Sequence, residues 1–171
     1  MAPKIILIGP MGAGKTTIGQ LLAQRLNLEF RDTDQIIEAQ ERREISQIFL
    51  DEGEEAFRVI EKRVLRQELL SDGTVLSLGG GAPISLDAQS ALRAVSSRVI
   101  FLDISLSTVA PRIGFNRDRP LLLNHPRGQW QTLMEERRPI YQSISDMTIN
   151  VDDKSEEDIV GIVLSSLGTE Q

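Results

Sequence analysis

Between Gly9 and Thr16 the chain reads Gly-Pro-Met-Gly-Ala-Gly-Lys-Thr, which satisfies the spacing G-x-x-x-x-G-K-[ST]. Glycines let consecutive backbone N–H groups close around phosphate oxygens, and a helix start adds unpaired donors and partial positive charge. A lysine in this place reaches β- and γ-phosphates, and the hydroxyl after it can ligate Mg²⁺. Gly12, Ala13, Gly14, Lys15, Thr16 and Thr17 are therefore the candidate nucleoside-triphosphate group, with Thr16 a candidate metal ligand. The apolar run Ile5–Ile8 precedes the loop and a helical pattern follows it, which is the strand, loop and helix order that this motif requires.

Further residues could complete a site. Asp32 and Asp34 flank Thr33 at the C-terminal end of a predicted strand, the end at which open α/β sheets bind ligands. One carboxylate can serve Mg²⁺ through water while the other orients or deprotonates an attacking hydroxyl. Asp34 can equally cap the next helix. Val99-Ile100-Phe101-Leu102-Asp103 also has the form of a metal-serving strand end, so on form alone the magnesium role is open between Asp32 and Asp103. Gly79-Gly80-Gly81 follows another strand and suits a place where a ligand or backbone comes very close, or else a plain flexible loop.

The basic candidates are Arg58, in a long helical pattern, Arg112, Arg117 and Arg119, in or just before a loop, and Arg137 and Arg138 beyond it. Guanidinium groups match phosphate and carboxylate geometry. A loop carrying them opposite a phosphate loop suggests a lid. Arg58 alone could be a surface ion pair with Glu54 or Glu61. His125 reads as a solvated loop residue without a role, and Trp130 as packed against the body.

Positioning these groups requires alternating strands and helices, the pattern of a parallel α/β sheet. Strands are predicted near Ile5–Ile8, Glu29–Asp32, Val75–Leu78, Val99–Leu102 and Met147–Asn150. Helices are predicted at Lys15–Leu26, from Asp34 to about Gln40, and at Ser46–Glu52. After Gly53 the pattern predicts Glu54–Leu70, then Ser85–Ala94, Arg127–Ser143 and a last helix from Ser155, where Ser155-Glu156-Glu157-Asp158 is a loose capping box. Pro111 lies in the helix after the fourth strand and should kink or shorten it unless it falls in the first turn. The stretch 114–128 shows little periodicity.

The 171 residues predict one domain with a sizeable core. A net charge of −6 argues against broad nucleic-acid or anionic-membrane binding. Without cysteine there are no disulfides and no Cys-based zinc site, which fits a reducing cytoplasm. Met1–Lys4 runs straight into the first strand, so no signal peptide is expected. No apolar run approaches the ~20 residues of a membrane span.

Taken together the motifs resemble those of the shikimate kinases. The resemblance runs from Lys4 to about Leu167 and rests on Gly9–Thr16, Asp32-Thr33-Asp34, Phe57-Arg58 with Glu61, Gly79-Gly80-Gly81, Arg119-Pro120-Leu121-Leu122 and Arg137-Arg138-Pro139-Ile140-Tyr141. It implies a three-layer α/β/α P-loop fold of the nucleoside-monophosphate-kinase type, with a five-stranded parallel sheet and a mobile lid. It also implies transfer of the ATP γ-phosphate to the 3-hydroxyl of shikimate, with Mg²⁺, in aromatic amino-acid biosynthesis. By resemblance Lys15, Asp34 and Arg119 are catalytic, and Arg112 and Arg119 join the ATP-binding group, Arg112 against the adenine. Asp34, Arg58, Glu61, Gly79, Gly80, Gly81 and Arg137 bind shikimate, with Ile45, Phe49, Phe57 and Pro120 as apolar walls. Asp32 serves the magnesium, and Ser77 shares its water shell. The implied layout is one domain over 1–171, with a substrate region at about 33–61 and a lid at about 112–126. A cytoplasmic monomer is expected. A related kinase acting on another small acceptor such as gluconate, or a nucleotide switch without transfer, are the competing readings.

Overall fold

The computed structural model describes residues 2–113 and 125–168. Arg117, Arg119 and Pro120, and with them most of the expected lid, lie outside the described residues. The elements are β1 (Ile5–Ile8), α1 (Lys15–Leu26), β2 (Glu29–Asp32), α2 (Thr33–Glu41), α3 (Ile45–Glu68), β3 (Thr74–Ser77), α4 (Leu86–Ala94), β4 (Arg98–Asp103), α5 (Leu106–Ile113), α6 (Pro126–Ile144), β5 (Met147–Asn150) and α7 (Glu156–Gly168).

The five strands form one parallel sheet in the order β2-β3-β1-β4-β5. β1 is central, and all four of its side chains are fully buried. That burial on both faces is why Ile5–Ile8 reads as a continuous apolar run rather than an alternating one. Leu7 lies against Gly19 of α1, whereas Phe101, paired with Ile8, stacks on Tyr141 of α6. Neighbours along β1 point to opposite faces. Helices α1 and α6 therefore cover opposite sides of the sheet, and the result is three layers.

Parallel register brings the strand ends together. Asp32 at the end of β2 pairs with Ser77 at the end of β3, and β1 runs out beside them into the glycine loop. The cap of α2 is Asp32, not Asp34: its Oδ1 accepts from the backbone N–H groups of Asp34 (2.9 Å) and Gln35 (3.1 Å). Asp34 sits inside the first turn, and its own side chain is free of that duty.

The predicted break at Gly53 is present as a kink within α3, where φ is 86° and ψ is 173°. Those values belong to glycine and not to a helix. β3 begins one residue earlier than predicted, at Thr74. The start of α7 is a reciprocal capping box, because Asp158 N–H donates to Ser155 Oγ (3.1 Å) and Ser155 N–H donates to an Asp158 carboxylate oxygen (3.4 Å). Pro111 falls past the first turn of α5, where it cannot donate to the Ser107 carbonyl.

Candidate active site

At the carboxyl ends of β1, β2 and β3 lies a cavity of about 770 Å³. Its size suits a ligand site, where typical volumes are roughly 300–1,000 Å³. One end is the loop between β1 and α1. Gly12 (φ 85°) and Gly14 (φ 94°) take left-handed backbone conformations that let the chain turn tightly into the helix start at Lys15. The Lys15 ammonium donates to the carbonyls of Gly9 (2.7 Å) and Pro10 (2.9 Å), which holds it across the loop. Gly12, Gly14, Lys15, Thr16 and Thr17 line the cavity, while the Ala13 side chain is buried. Two further helices hold the loop's path. Trp130 Nε1 of α6 donates to the Met11 carbonyl (3.0 Å), and Arg112 Nη1 of α5 donates to the Gly12 carbonyl (2.9 Å).

Asp32 joins this end to the next strand. While Oδ1 caps α2, Oδ2 accepts from Thr16 Oγ1 at 3.3 Å. Asp103, its rival on form, does not line the cavity; it accepts from Arg138 Nε and Nη2 at 3.3 and 3.2 Å. The same pairing separates the two adjacent arginines, because Arg137 lines the cavity and Arg138 is spent on Asp103.

The other end is the candidate acceptor wall. It combines Asp34, Arg58, Glu61 and Arg137 with Ile45, Phe49 and Phe57. The rings of Phe49 and Phe57 stand 4.9 Å apart, and the Arg58 guanidinium lies 5.3 Å from the Phe57 ring centre. Arg58 Nη1 donates to the buried Glu61 carboxylate at 2.8 Å, and Arg58 Nη2 donates to the exposed Glu54 at 3.3 Å. Burial pushes the Glu61 carboxyl above its ordinary range, although Arg58 and Arg137 pull the other way. Burial also pushes the Asp34 carboxyl up to about 7, with the charges of Asp32, Glu61 and Glu38 adding and Lys15 opposing.

Gly79, Gly80 and Gly81 form the edge between the two ends. They answer a packing need. A Cβ on Gly79 would come 2.5 Å from Asp34 Oδ1, and one on Gly81 would come 2.3 Å from Arg58 Nη1. The Gly79 N–H donates to Thr33 Oγ1 (3.0 Å), and the Gly80 carbonyl accepts from the Tyr141 hydroxyl (2.6 Å).

Several contributors are not evident from sequence. Thr33 and Tyr141 hold the glycines, and Glu38, Glu44, Ser46 and Glu156 also line the cavity. Thr33 carried a faint signal, a hydroxyl between two candidate aspartates. Glu156 carried none, because an acidic residue at a helix start is common. His125 is exposed just ahead of α6, and Trp130 is buried. Among the described residues no cluster of three or more His, Cys, Asp or Glu converges, and no helix is long and apolar enough to cross a membrane.

The family model for shikimate kinase matches residues 11–167. The shikimate kinase of Streptomyces coelicolor is 42% identical over 166 residues, covering 97% of this chain and 96% of the relative. That of Rhodococcus erythropolis is 44% identical over 168 residues, covering 98% of each. Among solved structures, shikimate kinase from Acinetobacter baumannii in complex with shikimate superposes with a TM-score of 0.94 at 32% identity, covering 100% of this chain and 96% of that one. Matched along almost its whole length by family, relatives and fold alike, this chain belongs to the shikimate kinase family.

Proposed function

We propose that the cavity holds the phosphates of ATP at the β1–α1 loop and shikimate against Asp34, Arg58 and Arg137. The γ-phosphate passes to the 3-hydroxyl of shikimate and leaves ADP and shikimate 3-phosphate. The observation that carries this reading is the continuity of the cavity, in which Lys15 and the Asp34–Arg58–Arg137 wall face one space. The likeness to a shikimate kinase described with shikimate bound supports the choice of acceptor.

Shikimate is a small polyol with one carboxylate. Arg58 and Arg137 supply planar donors for that carboxylate, and Asp34 accepts from the hydroxyl that attacks. Glu61 orients Arg58, and Phe49 and Phe57 cover the ring's apolar side. Phosphoryl transfer requires alignment and electrostatic stabilisation more than covalent help. Lys15 supplies positive charge at the phosphates. Arg112 lies beside the loop at the nucleotide end. Arg119 and Pro120 complete the site from the lid in this proposal, and the lid excludes water.

The donor set also suits Mg²⁺, which when bound with ATP neutralises charge on the β- and γ-phosphate oxygens. Thr16 and Asp32 would hold it, Asp32 through water. Ser77 Oγ, buried beside Asp32 and without a hydrogen-bond partner among the described residues, fits the same water shell. We further propose that the chain works as a cytoplasmic monomer of one domain.

Titration calorimetry with shikimate tests the acceptor wall. Arg58→Ala should weaken binding at least about tenfold, as expected when a charge-assisted hydrogen bond is lost. Unchanged shikimate affinity in a folded Arg58→Ala protein would refute this assignment.

A further inference from the structure

We infer that Tyr141 is a positioning residue for the acceptor: its hydroxyl holds the Gly80 carbonyl beside the Arg137 guanidinium and so sets the glycine loop against shikimate. The inference rests on the reading of Arg137 and Gly80 as shikimate-binding groups.

Three observations carry it. Tyr141 is fully buried, and its O–H donates to the Gly80 carbonyl at 2.6 Å. Arg137 lies one turn earlier on α6, with its guanidinium against the same Gly80. The ring is held separately, stacked on Phe101 with centroids 5.0 Å apart. The ring thus has a packing role that does not need the hydroxyl, and the hydroxyl holds Gly80 at the cavity wall.

Both side chains lie against Gly80: a Cβ there would stand 3.4 Å from Arg137 Nη1 and 3.7 Å from the Tyr141 hydroxyl. Burial pushes the phenol up to about 12, with Arg137 opposing, and it therefore stays protonated and able to donate throughout the neutral range.

Tyr141→Phe keeps the ring and removes only the hydroxyl. Steady-state kinetics should show KM for shikimate raised about tenfold, the scale of one lost hydrogen bond to a buried or charged group. KM for ATP and the melting midpoint should stay close to wild type. An unchanged KM for shikimate would overturn the inference. So would an equal rise in both KM values with a fallen melting midpoint, which marks a merely structural role. Arg137→Ala, measured alongside, separates two failures. If it leaves KM for shikimate unchanged, the acceptor reading of α6 fails and this inference falls with it. If it raises that KM while Tyr141→Phe does not, the inference alone fails.

Discussion

Asp34 occupies the space that any side chain on Gly79 would need: a Cβ there would come within 2.5 Å of Asp34 Oδ1. The first turn of α2, which supplies the carboxylate, and the loop that lies over it are therefore matched residue to residue. The displaced atom would be the tip of a side chain, not backbone, so the fold can absorb the change while the carboxylate cannot keep its place.

Gly79→Ala should consequently leave the melting midpoint near wild type and cut kcat sharply. A misplacement of about 1 Å at a reacting group can cost on the order of 100-fold. Thermal melting and initial-rate kinetics on the same preparation check this. A variant with full kcat would show that Asp34 has slack the geometry denies it.

Glu61 predicts a conflict between stability and binding. Burial holds its carboxyl above the ordinary range in spite of Arg58 and Arg137. The folded state thus keeps this proton more tightly than the unfolded state does. By linkage, Glu61 withdraws stability as pH rises from the ordinary carboxylate pKa through the raised one, and the deficit persists above that window. Glu61→Gln should melt higher than wild type at pH 8, converge with it in acid, and bind shikimate more weakly. A variant that melts lower at pH 8 would contradict the sign.

Trp130 reports on the phosphate loop. Its indole N–H donates to the Met11 carbonyl, so a ligand that reorders the loop changes the indole's surroundings. Tryptophan emission should shift on adding ADP with Mg²⁺. The protein has a single tryptophan, so the signal has one source. Emission indifferent to the nucleotide would mean that Met11 does not move when the loop is filled.

How far the site was legible depended on the range of the contacts involved. The loop Gly9–Thr16 is built from neighbours in the chain, and its chemistry could be read directly. Asp32 and Asp34 are ambiguous on paper because either can cap a helix that starts after the strand; the observed cap, Asp32 Oδ1, is a matter of one residue's geometry. Asp103 matched Asp32 in form, and only its bond to Arg138, 35 residues away, removes it from the cavity. The tie between Tyr141 and Gly80 spans 61 residues and leaves no local pattern at all. The helix pattern around Gly53 was readable because a positive φ at glycine is a local property. Resemblance named the acceptor, and within the resembled motif the spacing to Pro139 and Tyr141 selected Arg137.

In the proposed reaction the wall opposite Lys15 selects shikimate as the phosphate acceptor. The most direct test of that selection is ADP formation by purified protein with ATP and Mg²⁺, in the presence and absence of shikimate and of gluconate, with the phosphorylated product identified by ³¹P NMR. ADP release should depend on shikimate, with shikimate 3-phosphate accumulating in equal amount and gluconate giving no more than ATP alone. ADP release that is indifferent to shikimate, or faster with gluconate, would contradict it.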